Sequence, residues 1–227
     1  MIFPIGDTQV KGGSFPYICY GLLALNILVF LYEWQLQLGS ETRINEFLTT
    51  YGAIPTEILN GEDLITLITS MFLHGGWMHL IGNMLFLWVF ADNIEATIGN
   101  VSFVAFYLLG GLAASMAHVY FNMDSTIPTV GASGAISAVL GAYMVMFPRS
   151  KIKVLVVLFF RSFHLSALVF LGLWILQQLI AGFGSLGGTA ESSGVAWWAH
   201  IGGFVFGLIA GFFFKSKVRS APQYYSR

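Results

Sequence analysis

A serine and a histidine in the second half of the chain have the types and settings that nucleophilic catalysis requires. Ser133 lies among small residues in the stretch Gly131-Ala-Ser-Gly134, where an apolar helix is predicted to begin. A serine hydroxyl becomes a nucleophile when a base within about 2.6–3.2 Å takes its proton, and a neutral histidine such as His200 is suited to that role. The unpaired N–H groups and the dipole at the start of a helix favour an oxyanion. The pattern therefore predicts a serine-hydrolase site.

Two further polar residues are candidates for oxyanion donors. His79 and Asn83 are four residues apart and therefore share one face of a helix. Gly131 and Gly134 carry no side chain, so a substrate backbone is expected to approach closely there.

The composition places these residues in a membrane protein. The chain has 227 residues, of which 56% are hydrophobic and 9% charged, whereas soluble domains carry about 25% charge. The net charge of -1 argues against a nucleic-acid partner. The single Cys19 cannot form an internal disulfide.

Six apolar runs approach the length of about 20 residues that a bilayer requires. They predict spans at Phe15–Leu36, Trp77–Ile94, Val101–Phe121, Ser133–Phe147, Phe163–Gly182 and Trp197–Phe214. The long segment 37–76 contains short amphipathic pieces, which suit an interfacial first loop. We therefore expect an all-α membrane protein with six transmembrane helices, in which residues 1–227 form one domain.

Lysine and arginine predict the orientation of the spans, because these residues concentrate in cytoplasmic segments. Arg43 alone falls on the outer side of a six-span chain. Nine basic residues fall on the other side: Lys11, Arg149, Lys151, Lys153, Arg161, Lys215, Lys217, Arg219 and Arg227. We expect a multi-pass protein of the plasma membrane with both termini in the cytoplasm.

The candidate residues also share one depth and have suitable faces. His79, Ser133 and His200 each lie about 15–16 residues from the first charge at the inner end of their span, or roughly 22–24 Å. His200 shares one face of its span with Gly203, Gly207 and Gly211, and this row of glycines lets another helix approach closely. Ser133 continues into Ser137 and Gly141, so the two small-residue faces are predicted to pack together.

These motifs together resemble the signature regions of rhomboid intramembrane serine proteases. The matching stretches are His74-Gly-Gly-Trp-Met-His79-Leu-Ile-Gly-Asn83, Gly131-Ala-Ser-Gly134, and Ala199-His-Ile-Gly-Gly203 with Gly207. The resemblance covers nearly the whole chain and implies a rhomboid-like bundle.

The resemblance implies a serine endopeptidase that cuts transmembrane protein substrates within the lipid bilayer, as a monomer and without a metal or cofactor. It implies that Ser133 is the nucleophile and His200 the base. It places His79, Asn83, Gly131 and Ala132 at the oxyanion and substrate-binding site. Structural roles near the site fall to His74, Gly134, Gly203 and Gly207, and Glu95 with Gly99 resembles a buried acidic corner at the inner end of span 2.

Two positions depart from well-studied bacterial members of that family. Those members carry a Trp-Arg pair in the first loop, whereas residues 37–76 here contain no tryptophan. They also place an aromatic residue four positions after the nucleophile, where this chain has Ser137. We expect other contacts, from Trp197 or Trp198, to position the base.

Other functions agree less well with the sequence. A rhomboid-like protein that binds or monitors membrane proteins without cutting them predicts loss of the serine or histidine, and both are present. A transporter predicts charges in mid-span or broken helices in two related halves. A metal site built from His74, His79, His118 and His200 has no accompanying carboxylate or HExxH motif.

Overall fold

The structure, a computed structural model, describes residues 2–10, 14–156, 161–186, 195–218 and 224–226, and helices dominate these segments. Six helices have at least 14 residues and apolar sequences: α1 Tyr17–Gly39, α5 Trp77–Ile98, α6 Asn100–Phe121, α7 Ser133–Met146, α8 Ala167–Ser185 and α9 Trp197–Val218. Three shorter helices lie between α1 and α5, namely α2 Glu41–Tyr51, α3 Pro55–Leu59 and α4 Thr66–Thr69, and a 3-10 turn follows at Ser70–Phe72.

Four of the long helices, α1, α6, α8 and α9, are long and apolar enough to cross a membrane by length and composition. Helix α7 is apolar but has only 14 residues. Helix α5 has 22 residues and carries buried Asp92 and Glu95 near its C-terminal end. The chain is therefore a membrane protein with at least four candidate spans in its described part.

Short strands correct the expectation of helices alone. Strands β1 Ile2–Gly6, β3 Lys151–Val156 and β4 Arg161–Ser166 form an antiparallel sheet in the order β1-β3-β4, and β2 Thr8–Val10 pairs with β5 Tyr224–Ser226. The alternation in β3 was the missed signal: Ile152 and Val154 are fully buried, whereas Lys151 is exposed and Lys153 is half-buried.

The same sheet moves the start of the fifth predicted span to a later residue. Phe163 pairs with Val154 in the sheet, so the helix cannot begin there. Helix α8 begins instead at Ala167, where the Ser166 hydroxyl accepts a hydrogen bond from the N–H of Val169.

Polar side chains attach the N-terminal segment to the end of the bundle that carries the sheet. The Asp7 carboxylate accepts hydrogen bonds from the Asn93 amide and from the Tyr143 hydroxyl. The Glu95 carboxylate accepts hydrogen bonds from the backbone N–H groups of Ile18 and Cys19, at 2.9 and 2.7 Å, in the first turn of α1. Glu95 therefore joins the C-terminal end of α5 to the N-terminal end of α1.

Basic residues gather at this same end of the bundle. Arg149, Lys151, Lys153 and Arg161 lie in or beside the sheet, and Lys215 and Lys217 lie in the last turns of α9. Lys11, Arg219 and Arg227, which the sequence assigned to the same side, lie outside the described residues.

Helix α7 is the centre of the bundle, and α9 packs directly on its backbone. Every residue from Gly134 to Tyr143 is buried. A Cβ added at Gly203 would overlap the carbonyl oxygen of Gly134, and one added at Gly207 would overlap that of Ala138. One turn further, an added Cβ at Gly211 would lie 2.9 Å from the Ala142 Cα. The glycine stripe therefore brings the two helix backbones into contact, as its spacing predicted.

We expect Gly207→Ala to destabilise the protein and to impair any chemistry that needs Ser133 and His200 together. The new methyl group would meet the Ala138 backbone, which cannot rotate away, so the helices must separate at a cost of about 1–3 kcal/mol. Thermal unfolding in detergent would measure the change. Gly172→Ala on α8 is the matched control, because no atom lies within 4 Å of its added Cβ. Equal melting temperatures for the two variants would contradict this account of the α7–α9 contact.

Candidate active site

Ser133 and His200 lie in contact at one end of the α7–α9 interface. Ser133 is the first residue of α7, and His200 lies in the first turn of α9. The His200 Nε2 atom is 2.8 Å from the Ser133 Oγ atom, which is a hydrogen-bond distance. Both side chains are partly exposed to a cavity. The structure therefore brings together the two residues that the sequence selected as nucleophile and base.

A glutamine that the sequence analysis did not select holds the other side of the histidine ring. The Oε1 atom of Gln178, on α8, lies 2.7 Å from the His200 Nδ1 atom. Gln178 is buried, with 4% of its surface exposed. The available signal was a Gln177-Gln178 pair in the middle of an otherwise apolar helix.

Aromatic rings surround the histidine in a way the sequence anticipated only in part. The ring centroid of Trp174, one turn before Gln178, lies 5.9 Å from that of His200, and Trp197 makes an edge contact at 6.2 Å. Trp198 instead stacks on Phe121 at 3.6 Å. Of the two tryptophans proposed from the sequence, Trp197 contacts the base, and α8 supplies the second ring.

Ser137 takes part in the local hydrogen bonding of α7 rather than contacting the base. Its hydroxyl donates to the Ser133 carbonyl at 2.6 Å, and its Cβ would lie 3.2 Å from a Cβ added at Gly203. The close passage of α9 explains why a small residue occupies position 137.

A hydrogen bond at one ring nitrogen of His79 leaves the other nitrogen as a donor beside Gly131. The backbone N–H of Gly75 donates to the His79 Nδ1 atom at 3.3 Å, so the proton of the neutral ring resides on Nε2. That Nε2 atom would lie 2.7 Å from a Cβ on Gly131, whose φ is +128°. Glycine at position 131 therefore leaves the space that His79 occupies.

Asn83 presents a second donor beside His79. Its Nδ2 atom would lie 3.6 Å from the same added Cβ, and it is buried without a hydrogen-bond partner among the described residues. An unpaired buried donor is costly, so its retention points to an acceptor that arrives from outside the chain.

The residues next to the nucleophile provide space and close packing. The N–H of Gly131 is already bonded to the Ser70 carbonyl at 2.8 Å, so this residue contributes space rather than a donor. Ala132 is fully buried, and its carbonyl accepts the N–H of Ile136 in the first turn of α7. Gly134 allows close packing, because an added Cβ would lie 2.6 Å from that of Ala114.

His74 is part of the support beneath this site. Its backbone N–H lies 3.2 Å from both carboxylate oxygens of Glu33 on α1, and its ring packs edge-on against His79 with centroids 5.1 Å apart. Burial, and secondarily the nearby His79, lower the pKa of His74 to about 3, so its ring is neutral at physiological pH.

The segment between α1 and α5 is hydrogen-bonded to the residues that immediately precede Ser133. Ala53 and Thr129 exchange backbone hydrogen bonds of 3.0 and 2.8 Å. Met71, which is 2% exposed, lies where a Cβ on Gly111 of α6 would collide with it. These contacts, together with the Ser70–Gly131 bond, anchor the segment in place of the absent Trp-Arg pair.

A cavity of about 1240 Å³ opens onto these groups. Ser133, His200, His79 and Asn83 line it. Its remaining lining is mixed: Phe86, Leu140 and Trp174 contribute apolar surface, while His118, Asn122 and Ser125 form a polar part. A nucleophile, a base and several donors therefore face one space large enough for a peptide segment.

The described residues contain no group of three His, Cys, Asp or Glu side chains placed to hold a metal ion. The three histidines that line the cavity are His79, His118 and His200, and His118 instead pairs with Asn122, whose Nδ2 lies 3.3 Å from the His118 Nδ1. The arrangement is suited to acyl transfer by a serine and a histidine.

Comparison with known proteins gives a consistent result. A family model described as the Rhomboid domain matches residues 61–217. The chain is 31% identical over 209 residues to rhomboid protease GluP of Bacillus subtilis, covering 91% of this chain and 36% of that protein. It is 27% identical over 210 residues to mitochondrial rhomboid protein 1 of Saccharomyces cerevisiae, covering 91% of this chain and 56% of that protein.

A third relative is the mitochondrial presenilin-associated rhomboid-like protein A of Danio rerio, at 28% identity over 193 residues, 83% of this chain and 45% of that protein. The chain thus spans between about a third and just over half of the length of these three relatives.

We expect Asn83→Ala to lower kcat for a model transmembrane substrate by about 10²–10³, with a smaller change in KM, because one oxyanion donor is lost. The Asn83 Nδ2 atom has no partner among the described residues, so its removal breaks no hydrogen bond that the structure shows there. The melting temperature should therefore stay close to that of the wild type. Steady-state kinetics on the purified protein test this, and an unchanged kcat would remove Asn83 from the mechanism.

Proposed function

This chain belongs to the rhomboid family, and we propose that it is an intramembrane serine endopeptidase that cleaves membrane-protein substrates in or near their transmembrane helices. The observation that carries the proposal is the 2.8 Å contact between Ser133 and His200 at the wall of the cavity. A serine hydrolase needs this contact, whereas a family member that only binds membrane proteins has no use for it.

In the first half of the proposed reaction, the Ser133 Oγ atom attacks the carbonyl carbon of the scissile bond while its proton passes to the His200 Nε2 atom. The carbonyl oxygen becomes an oxyanion. The Nε2–H of His79, the Nδ2 group of Asn83 and the backbone N–H of Ser133 are proposed to donate to it. The N–H groups of Ser133, Gly134 and Ala135 precede the first hydrogen bond of α7 and have no acceptor within that helix, so the helix start adds favourable potential.

In the second half, the His200 imidazolium returns its proton to the leaving amine, and the C–N bond breaks to leave an ester between the substrate and Ser133. A water molecule then attacks this ester as His200 takes its proton, and the proton goes finally to Ser133 as the acyl group departs. Each proton thus passes through the single base, and no further cofactor is required in this scheme.

The length of α7 supports a site below the membrane surface. Fourteen residues span about 21 Å, whereas the hydrocarbon core is about 30 Å thick. Because α7 ends at the end of the bundle that carries the sheet, we propose that its first residue, Ser133, lies within the core rather than at its outer edge. A helical substrate must unwind there before a carbonyl is accessible, because its backbone groups are paired within the helix.

We further propose six spans in one domain, formed by α1 and α5–α9, with the sheet end in the cytoplasm. The basic residues at that end support this orientation, while Arg43 lies on α2 at the opposite end of α1. Action as a monomer and location in the plasma membrane stay predictions, and two of the relatives are named as mitochondrial proteins.

Ser133→Ala is expected to abolish cleavage of a model single-span substrate in liposomes while leaving the melting temperature nearly unchanged, because only a hydroxyl is lost. In the wild type, a fluorophosphonate probe should label Ser133, and chelators should leave the rate unaltered. Mass spectrometry of the labelled peptide identifies the modified residue. Cleavage by the Ser133→Ala protein at the wild-type rate would refute the proposal.

The orientation predicts which side of the membrane each segment occupies. A single cysteine introduced at the exposed Glu62, between α3 and α4, should react with an impermeant maleimide added outside intact cells, in a Cys19→Ala background. A cysteine at Ser216, near the end of α9, should react only after the membrane is permeabilised. Labelling of both positions from the same side would contradict the six-span arrangement.

A further inference from the structure

We propose that Gln178 is a positioning residue for the base: its side-chain oxygen holds the proton of His200 on Nδ1 and thereby keeps Nε2 free to accept the proton of Ser133. This inference rests on the proposed function, because it assigns a partner to the same base.

The His200 ring has a hydrogen-bond partner at each of its two nitrogens. Nδ1 lies 2.7 Å from Gln178 Oε1, and Nε2 lies 2.8 Å from Ser133 Oγ. An amide oxygen only accepts hydrogen bonds, so Nδ1 must be the donor. In a neutral imidazole the other nitrogen then carries a lone pair, which is the form that a general base requires.

The fold gives Gln178 little freedom to leave this position. Trp174, Gln178 and Gly182 recur every four residues and form one face of α8 that meets α9. Trp174 contacts the His200 ring, and an added Cβ at Gly182 would lie 2.8 Å from Ile201 Cδ1. Both Gln178 and Gly182 are buried. Helix packing on both sides of Gln178 therefore fixes the position from which it bonds to His200.

An amide suits this place better than the carboxylate that partners histidine in soluble serine hydrolases. The surroundings are apolar, and burying an isolated ionised carboxylate there would be costly. The amide oxygen supplies the same acceptor and orients the same ring nitrogen without a charge. The amide therefore stabilises the imidazolium less than a carboxylate would.

Other titratable groups near the base are histidines on different helices. His79 on α5 and His118 on α6 line the same cavity as His200. Neither bonds to His200 Nδ1 in the structure, so the choice of tautomer falls to Gln178.

Two substitutions of Gln178 test the proposal through opposite changes in the pH–rate profile. Gln178→Met keeps the length of the side chain but removes the acceptor. We expect kcat to fall about 10- to 100-fold with little change in KM, because the Nδ1 donor loses its partner. The acid limb of the profile should move to lower pH, since the imidazolium loses stabilisation.

Gln178→Glu keeps an oxygen acceptor at the same place and adds a charge. This variant should retain more activity than Gln178→Met, and its acid limb should move to higher pH, because a carboxylate favours the imidazolium. Gln177→Met is the matched control, since Gln177 is the neighbouring residue on α8 and its side chain is exposed. Its kinetics and pH profile should equal those of the wild type.

Labelling by a fluorophosphonate provides a second measurement that does not depend on a peptide substrate. The rate at which Ser133 is labelled should fall in Gln178→Met in parallel with kcat. Melting temperatures of all variants in detergent identify any loss of folding.

Wild-type kcat and pH profile in Gln178→Met would overturn the inference while leaving the proposed protease intact. Equal losses of activity and of melting temperature in the Met and Glu variants, with unshifted profiles, would also overturn it and assign a purely structural role. Absence of both cleavage and Ser133 labelling in the wild type would instead defeat the proposed function, and the inference with it.

Discussion

The rest of the structure depends on the direct contact between the backbones of α7 and α9. At Gly203 and Gly207 a single added carbon would overlap carbonyl oxygens of α7, and at Gly141 it would overlap that of Phe204 on α9. Ser133 and His200 lie at one end of this contact, on the first residue of one helix and in the first turn of the other. Because neither helix can slide without a clash, their 2.8 Å separation is a consequence of packing rather than of the hydrogen bond alone.

A second set of contacts brings the proposed donors to the same place by a different route. The segment between α1 and α5 bonds to the chain just before Ser133, through the Ala53–Thr129 pair and the Ser70–Gly131 bond. Glu33 on α1 accepts the backbone N–H of His74, and His74 packs on His79. The interhelical contact therefore positions the nucleophile and base, whereas backbone hydrogen bonds and a buried carboxylate position His79 and Asn83 relative to them.

The sequence predicted the features that depend on a regular helical spacing of residues. The glycine stripe of α9, the small face of α7 and the apolar lengths predicted the helices and brought Ser133 and His200 to one site. The β1-β3-β4 sheet was missed because its strands are short and lie next to apolar helices, so that Phe163 read as helix. Gln178 was missed because its role depends on a contact with His200, which lies 22 residues later in the chain and on another helix. No local spacing in the sequence encodes such a contact. The hydrogen bonds of Ser70 and Ala53 could not be predicted either, because they involve backbone atoms that any residue provides.

The distribution of charge separates the two ends of the molecule and explains the chemistry of the site. The basic residues of the sheet and of the last turns of α9 lie at one end, together with Asp7 and Glu95, whose carboxylates accept hydrogen bonds from polar side chains or backbone N–H groups. Acidic residues such as Glu41, Glu57 and Asp63 lie in the segment between α1 and α5. The side chains with proposed roles around Ser133 are the amides of Asn83 and Gln178, which carry no charge, and imidazoles, which are uncharged when deprotonated. In an apolar environment a permanent charge is expensive, while a neutral donor or acceptor costs little once it is paired. The proposed reaction creates its charges, the oxyanion and the imidazolium, only transiently and next to these dipoles. A site built from neutral groups can thus be stable within a membrane at rest and still stabilise charge at the moment of reaction.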